Sequence, residues 1–518
     1  MCATNTTCCS PRWWCAIWKV LLVGGLALVT GCPPVVDSFS PEEGPVGTVV
    51  TIKGSRFGEQ AGDSTVKFHG VAVPAADVTY VSSTELKAKV PAGAQTGPIS
   101  VTTSEGTGES DKDFKVEDET SAWTFMVYLD ADNNLEYAGI VDFLEMASVP
   151  SSAKVNIIVQ MDRIPGYSSD HGNWTDTRRF KIGYGNKPDM APLQNLGEQN
   201  MGDPNVLSDF VEWAITNYPA QQYALSIWNH GDGWRRLEDE LLARATRARA
   251  ASQPDQGVAR AVATDNTDDD LLYMKEVQTA LEGARERLGT DVKLDVVGFD
   301  ACLMGMVEVA YACRNVANYL VGSEDLEPGN GWPYDTILKD LVATPAMTPE
   351  QLATLIVDKY GAAYPNTDVT QACVDMAKVN DLAGRIDTFA NAASGEWAAL
   401  KAARLSSRQY HPTGFPSCWG VDIWNFAHEV HNRVVSTQIK TAATNLKTAV
   451  DEFVLHEYHS ASLAGSHGVA IYFPPTGTEF NNDPDHTGYT QTNNFMPVDF
   501  VKSHGWDEWL ASYYTHNP

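Results

Sequence analysis

The sequence predicts an α/β protein with a mostly parallel sheet covered by helices, preceded by a small all-β sandwich. Three observations carry this. From Trp123 onward, apolar runs of strand length each end in polar residues: "WTFMVYLDAD", "KVNIIVQMD", "QYALSIWNHGDG" and "KLDVVGFDAC". Between them lie segments with apolar residues at helical spacing, such as "NNLEYAGIVDFLEMAS" and "PNVLSDFVEWAITNY". Strands buried on both faces read as continuous apolar runs, and parallel neighbours need crossover helices. Before Trp123 the texture is different. "GTVVTIKGSRFG", "STVKFHGVAV", "ELKAKVPAG" and "GPISVTTSEG" alternate apolar and polar positions, with Gly and Pro recurring between them. That is the pattern of a sandwich whose sheets each have one wet face.

Taken in chain order, residues 1–31 read as an address. Arg12 and Lys19 precede an apolar run from Val20 to Val29 that is too short to span a bilayer, as in an export signal. The run ends in "LVTGC", which resembles a bacterial lipoprotein signal. By that resemblance Cys32 is the lipidated residue, and Cys2, Cys8, Cys9 and Cys15 lie in the removed part. The expectation is a protein exported and lipid-anchored to a bacterial membrane, at the outer membrane or cell surface. Residues 33–117 form the β-sandwich, 118–122 the linker and 123–518 the α/β domain. "VVDSFSPEEGPVGTVVTIKGSRFG" resembles the start of an immunoglobulin-like TIG domain, which implies a spacer or binding role rather than chemistry.

The 518 residues carry 43% hydrophobic and 20% charged side chains, enough for a sizeable core. A net charge of −29 argues against nucleic acid, which needs clustered Lys and Arg.

In parallel sheets, functional groups gather past the C-terminal ends of strands. That singles out Asp130, Asp162, His230 and Cys302. His230 follows one apolar run and Cys302 another, at the start of what reads as a helix, "MGMVEVAYAC". A helix N-terminus stabilises a thiolate, and a neighbouring imidazole takes its proton. Small residues at Gly231 and Ala301 leave room for a substrate backbone, and the Gly231 and Cys302 amides are candidate oxyanion donors. His-Gly occurs five times, at His69, His171, His230, His467 and His504, and a strand-end cysteine often only packs. His467 precedes a strand, which puts it at the opposite edge of the sheet unless that strand is antiparallel.

The strand ending in His-Gly and the next ending in acid-Ala-Cys resemble the cysteine peptidase clan of caspases, legumains and gingipains. Six blocks spread over roughly 123–475 resemble its clostripain family: "WTFMVYLDADNNLE", "SIWNHGDGW", "DVVGFDACLMGMVEVAY", "SEDLEPGNGWPYD", "GVDIWNFA" and "GVAIYFP". The resemblance implies a caspase-like sandwich, His230 as general base, Cys302 as nucleophile, and endopeptidase cleavage after Arg or Lys through an acidic pocket. Asp300 stands where the family has its acid two before the cysteine; its bland alternative is a helix cap or structural carboxylate. Glu324 and Asp325 are further candidates for that pocket. The partners implied are polypeptides with basic residues and, through Cys32, a lipid bilayer. The alternative reading is an inactive binding lipoprotein on the same fold.

Between the two sites, residues 235–260 hold six arginines and no lysine. Family members are commonly processed between histidine and cysteine, so self-cleavage is expected here, after Arg244, Arg247 or Arg249; a solvated helical insertion is the alternative. No cofactor is required by this chemistry. Calcium is a further candidate through the resemblance and the carboxylates of "DNTDDD", although an acidic turn explains that stretch equally. "DADNNLE" lacks the glycine and final acid of an EF-hand, so Asp130 and Asp132 are expected to cap the following helix. "HEVH" and "HEYH" are one residue short of a zinc motif and read as solvent-facing helix positions. The end of the chain reads as a closing strand and helix.

Overall fold

The computed structural model describes residues 32–91, 93–116, 120–235, 262–289, 292–410, 419–492 and 498–518. Residues 1–31, Cys418 and the self-cleavage candidates Arg244, Arg247 and Arg249 lie outside these. The chain divides into two units, with the boundary between Glu119 and Thr120.

The first unit is built mostly of antiparallel strand pairs, among them Val49–Ser55 with Glu85–Lys89 and Thr65–Phe68 with Gly97–Thr103. Alternation does the work: Val50 and Ile52 point inward with Leu86 and Ala88, while Lys53, Lys87 and Lys89 stay in water. Phe68 meets Phe114 edge-on at 5.1 Å. Each such buried aliphatic or aromatic side chain stabilises the unit by about 1.5–3 kcal/mol.

The second unit is organised by one nine-stranded sheet. Its strands are β1 (Ser121–Ala131), β2 (Val155–Arg163), β3 (Thr177–Lys181), β4 (Gln194–Gly197), β5 (Ala220–Trp228), β6 (Leu294–Asp300), β7 (Ala317–Gly322), β8 (Thr370–Asp375) and β9 (Val454–His459), in the order β4-β3-β2-β1-β5-β6-β7-β8-β9. The pairs from β2 through β1, β5 and β6 to β7 are parallel; β3, β4, β8 and β9 add antiparallel edges.

Helices cover both faces. Phe125, Val127 and Leu129 of β1 face Phe143 of α1 (Glu136–Ser148) and Leu352 and Ile356 of the helix Pro349–Ala363. Met126 and Tyr128 face the other way, into the cluster holding Phe210 of α2 (Pro204–Asn217) and Val277 and Leu281 of α3 (Met274–Leu288). Helix α2 starts where the sequence puts Asp-Pro: the Asp203 carboxylate accepts from the Asn205 amide at 2.8 Å.

Four local expectations are corrected. The helix after Cys302 starts only at Val307 (α4, Val307–Cys313), because Leu303 takes a left-handed turn at φ 63°. "HEYH" lies on β9, where pairing with β8 overrides any helical spacing. The strand after His467, Ala470–Tyr472, leaves the main sheet for a small one with Gln409–Tyr410 and Gly420–Asp422. The described residues after Pro475 form helices, Gly477–Asn482, Asp499–Ser503 and Trp506–His516, with no strand among them.

Candidate functional site

Strands β5 and β6 lie side by side in parallel, with Trp228 opposite Asp300. Two residues further along each strand stand His230 and Cys302, so adjacent strand ends carry both to one place. Both are nearly covered, at 6% and 8% exposure. Gly231 seals the contact. A Cβ on it would lie 2.1 Å from the Cys302 carbonyl oxygen and 2.7 Å from the Cys302 nitrogen. The space that glycine leaves is therefore filled by the backbone of Cys302, not by substrate.

Without a helix at its own position, Cys302 takes no stabilisation from a helix dipole. Its Sγ instead accepts from the Glu327 amide at 3.3 Å. A donor aimed at sulfur favours the thiolate over the thiol. Leu303 next to it is held left-handed, its amide bonded to the Asp325 carbonyl at 3.1 Å. That conformation costs a non-glycine residue on the order of 1–3 kcal/mol and occurs mainly where surrounding structure imposes it.

His230 Nε2 lies 2.9 Å from Asn134 Oδ1. An amide oxygen only accepts, so Nε2 carries the proton and Nδ1 is the basic nitrogen. Asn134 comes from the loop after β1, the stretch expected to serve as a helix cap. It has other work: Asp132 accepts from the Asn266 and Thr267 amides, and Asp130 from Asn229 Nδ2 at 2.7 Å, so neither caps α1.

Asp300, the acid before the cysteine, is buried. Burial pushes its carboxyl up to about 6, against the pull of the Trp332 amide, 3.1 Å from Oδ2. Glu327 lies against it and is pushed well above the usual carboxylate range, by burial and then by Asp300. The two share a proton, because adjacent buried carboxylates cannot both ionise cheaply. Asp142 approaches from α1, also held up by burial and then by Asp300. Of the other two pocket candidates, Glu324 turns away, accepting from the Gly468 amide at 3.0 Å and facing Asp422. The Asp325 carboxylate takes the Leu326 amide at 2.8 Å. The carboxyl that joins Asp300 is thus Glu327. Its signal in the sequence was faint, a third acid in "SEDLEPG" beside two more obvious ones.

Cys313 and Cys373 are fully buried, and burial pushes their thiols up to about 12 and about 11. In the folded protein at pH 7, iodoacetamide is expected to modify Cys302 while sparing Cys313 and Cys373. Peptide mass mapping reads this, with the same protein alkylated after unfolding as the positive control for Cys313 and Cys373.

A second acidic group lies past the ends of β1 and β2. Carboxylate oxygens of Asp132, Asp162 and Glu198 all come within 4.8 Å of one another, as do those of Glu198, Asp265 and Asp268. "DADNNLE" and "DNTDDD", unremarkable separately, meet here. All-oxygen donors fit a hard cation such as calcium. Burial raises Asp265 and, within α4, Glu308 to about 7. With Asp300 near 6, these groups bind more protons folded than unfolded, so their stabilisation is complete at low pH and is lost as pH rises through 6 to 7. The expected result is a higher Tm at pH 5.5 than at pH 8, read by thermal melts of the metal-free protein.

Comparison with known proteins bears on the family and the fold. The sequence model of the Clostripain family matches residues 127–513, and that of the IPT/TIG domain matches 34–116. Clostripain of Hathewaya histolytica is 28% identical over 429 residues, 71% of this chain and 77% of that protein. Two solved structures are similar in fold. An inactive zymogen C11 protease from Parabacteroides distasonis has 19% identity and a TM-score of 0.51, over 69% of this chain and 94% of that one. A secreted C11 cysteine protease from Bacteroides thetaiotaomicron has 16% identity and a TM-score of 0.53, over 75% and 99%. A caspase-like sheet with a family match over most of its length makes this chain a member of the clostripain family, a cysteine-type endopeptidase with an N-terminal IPT/TIG domain.

Proposed function

We propose that this peptidase cleaves after Arg, or Lys, with Cys302 as nucleophile and His230 as base. The observation that supports the specificity best is the buried Asp300–Glu327 carboxyl pair beside the thiol. No ion pair among the described residues reaches either acid. A substrate guanidinium would supply the missing cation and displace the shared proton.

In the reaction, His230 Nδ1 takes the Cys302 proton and the sulfur attacks the scissile carbonyl carbon. The Gly231 and Cys302 amides hold the resulting oxyanion. The imidazolium protonates the leaving amine, the C–N bond breaks, and an acyl-enzyme remains. Water, deprotonated by His230, attacks that thioester; the C–S bond breaks and the thiol is restored. Paired fluorogenic peptides ending in Arg, Lys or Asp test the reading. Turnover of the Arg and Lys peptides only is expected; equal or preferred cleavage after Asp would overturn it.

Three further parts of the reading have separate tests. Self-cleavage after Arg244, Arg247 or Arg249 predicts two fragments on prolonged incubation and one band for Cys302→Ala. Export with lipidation at Cys32 predicts incorporation of labelled fatty acid, lost in Cys32→Ser. Calcium held by Asp132, Asp162, Glu198, Asp265 and Asp268 predicts a Tm rise on adding calcium, larger at pH 8 than at pH 5.5, because the ligands must be deprotonated to bind.

A further inference from the structure

The six residues His230 to Arg235 include two glycines, so their backbone has many conformations open to it. A working histidine and oxyanion amide, however, have to be held to within about 0.5 Å. Strand β5 fixes one end of the segment. The other end is fixed by a part of the chain nearly 250 residues away.

Trp234 and Arg235 are both buried. The Trp234 ring packs against both Tyr472, at 5.0 Å, and Tyr489, at 4.8 Å, which also touch one another. Arg235 presents both terminal nitrogens to Asp483, with Nη1 2.8 Å from Oδ2. Asp485 stands 3.4 Å from the guanidinium and Asp232 3.6 Å. Asp483 is itself buried and held from behind: the Tyr472 hydroxyl donates to its Oδ2 at 2.6 Å, and the Asp485 amide to its Oδ1 at 2.9 Å. Between clamp and histidine, Gly233 passes Met306 so closely that a Cβ would lie 2.6 Å from its Sδ. The segment is therefore seated against the chain that follows Cys302.

We propose that Trp234, Arg235 and Asp483 form a positioning clamp that sets the His230–Gly231 segment against Cys302. The bidentate fork fixes direction as well as distance, which a lysine at 235 would not reproduce. The clamp also gives the C-terminal segment a role in the reaction that its sequence did not announce. Because Arg235 precedes residues 236–261, cleavage anywhere in that stretch leaves the clamp whole. The proposal rests on His230 and Cys302 as the working pair; Cys302→Ala and His230→Ala test that pair on its own.

The experiment uses Asp483→Asn and Arg235→Lys in the full chain, each measured for kcat, KM, Tm and the pH dependence of Cys302 alkylation. Active enzyme is counted as the fraction alkylated at Cys302 alone when labelling is carried to completion, modification of Cys313 or Cys373 marking misfolded protein, so that misfolded protein does not enter kcat. The expected result is a fall in kcat of tenfold or more per active site, with KM within twofold. Alkylation at neutral pH should slow, its midpoint moving up toward that of an ordinary thiol as His230 loses its place. A merely structural role would lower Tm or the active fraction and leave kcat per site and the alkylation profile unchanged; that outcome overturns the clamp. If Asp483→Asn does not fold, Arg235→Lys decides by the same readouts.

Discussion

Replacing Cys302 by alanine is expected to lower turnover of a basic peptide by at least about 10³-fold, with little change in Tm. The loss should be large because every later step passes through the Cys302 sulfur: attack, acyl-enzyme and hydrolysis. Cys313 and Cys373 offer no substitute, since both lie in the core with thiols raised to about 12 and about 11. Tm should change little because the substitution removes a single sulfur atom from a residue at the edge of the core, 8% exposed. Its contacts to Glu327, a donor at 3.3 Å and a carbonyl at 3.8 Å, are weak ones to lose. His230→Ala should approach the same floor, and the double variant should be no worse than either single one, because the two groups act as a unit. Initial rates on a fluorogenic arginine peptide read all three. Turnover of Cys302→Ala near the parent's would remove Cys302 as nucleophile.

What was legible in the sequence, and what was not, follows from the range of the interactions. Strands β1, β2, β5 and β6 announce themselves because strands buried on both faces must be continuously apolar. The strand-end rule then points at His230 and Cys302 with no knowledge of their contacts. Local turns were harder. Nothing in "ACLMGM" reveals that Leu303 turns left-handed and delays the helix to Val307, since the cause is a bond to Asp325 from another strand end. Glu327 was hidden for the same reason: it is one of three acids in a loop, and only the return of that loop over Cys302 selects it. Asn134 orients His230 from 96 residues away and Asp483 reaches Arg235 across 248, separations at which sequence pattern carries no information. The clustering of Asp132, Asp162, Glu198 and Asp265 is likewise a property of three strand ends and a hairpin meeting, not of any one motif.

Asp300→Asn is the second large effect, and it should separate specificity from stability. Asparagine keeps the shape and can still accept from the Trp332 amide at 3.1 Å, so the pocket should stay built. What disappears is the charge that a buried guanidinium would pair with. Truncating one partner of a buried charge pair costs about 2–5 kcal/mol, so kcat/KM for Arg and Lys peptides should fall by roughly 10²–10⁴, mostly through KM. The pH profile should change with it. In the parent, Asp300 titrates near 6, so KM for a basic peptide should rise as pH falls through that value; in the variant that limb should vanish. Stability should move the opposite way. A carboxyl raised from its ordinary 3.8 to about 6 contributes stability at low pH that is lost as pH rises through 6, leaving an ionised group buried at pH 8 with Glu327 beside it. Removing that charge relieves the free enzyme, so Asp300→Asn should melt higher than the parent at pH 8 and about equally at pH 4.5. A residue kept only for structure would show the reverse, with activity and Tm falling together. A gain in Tm alongside a loss of activity toward basic peptides is the signature of a group held at a cost to the fold for the sake of its ligand.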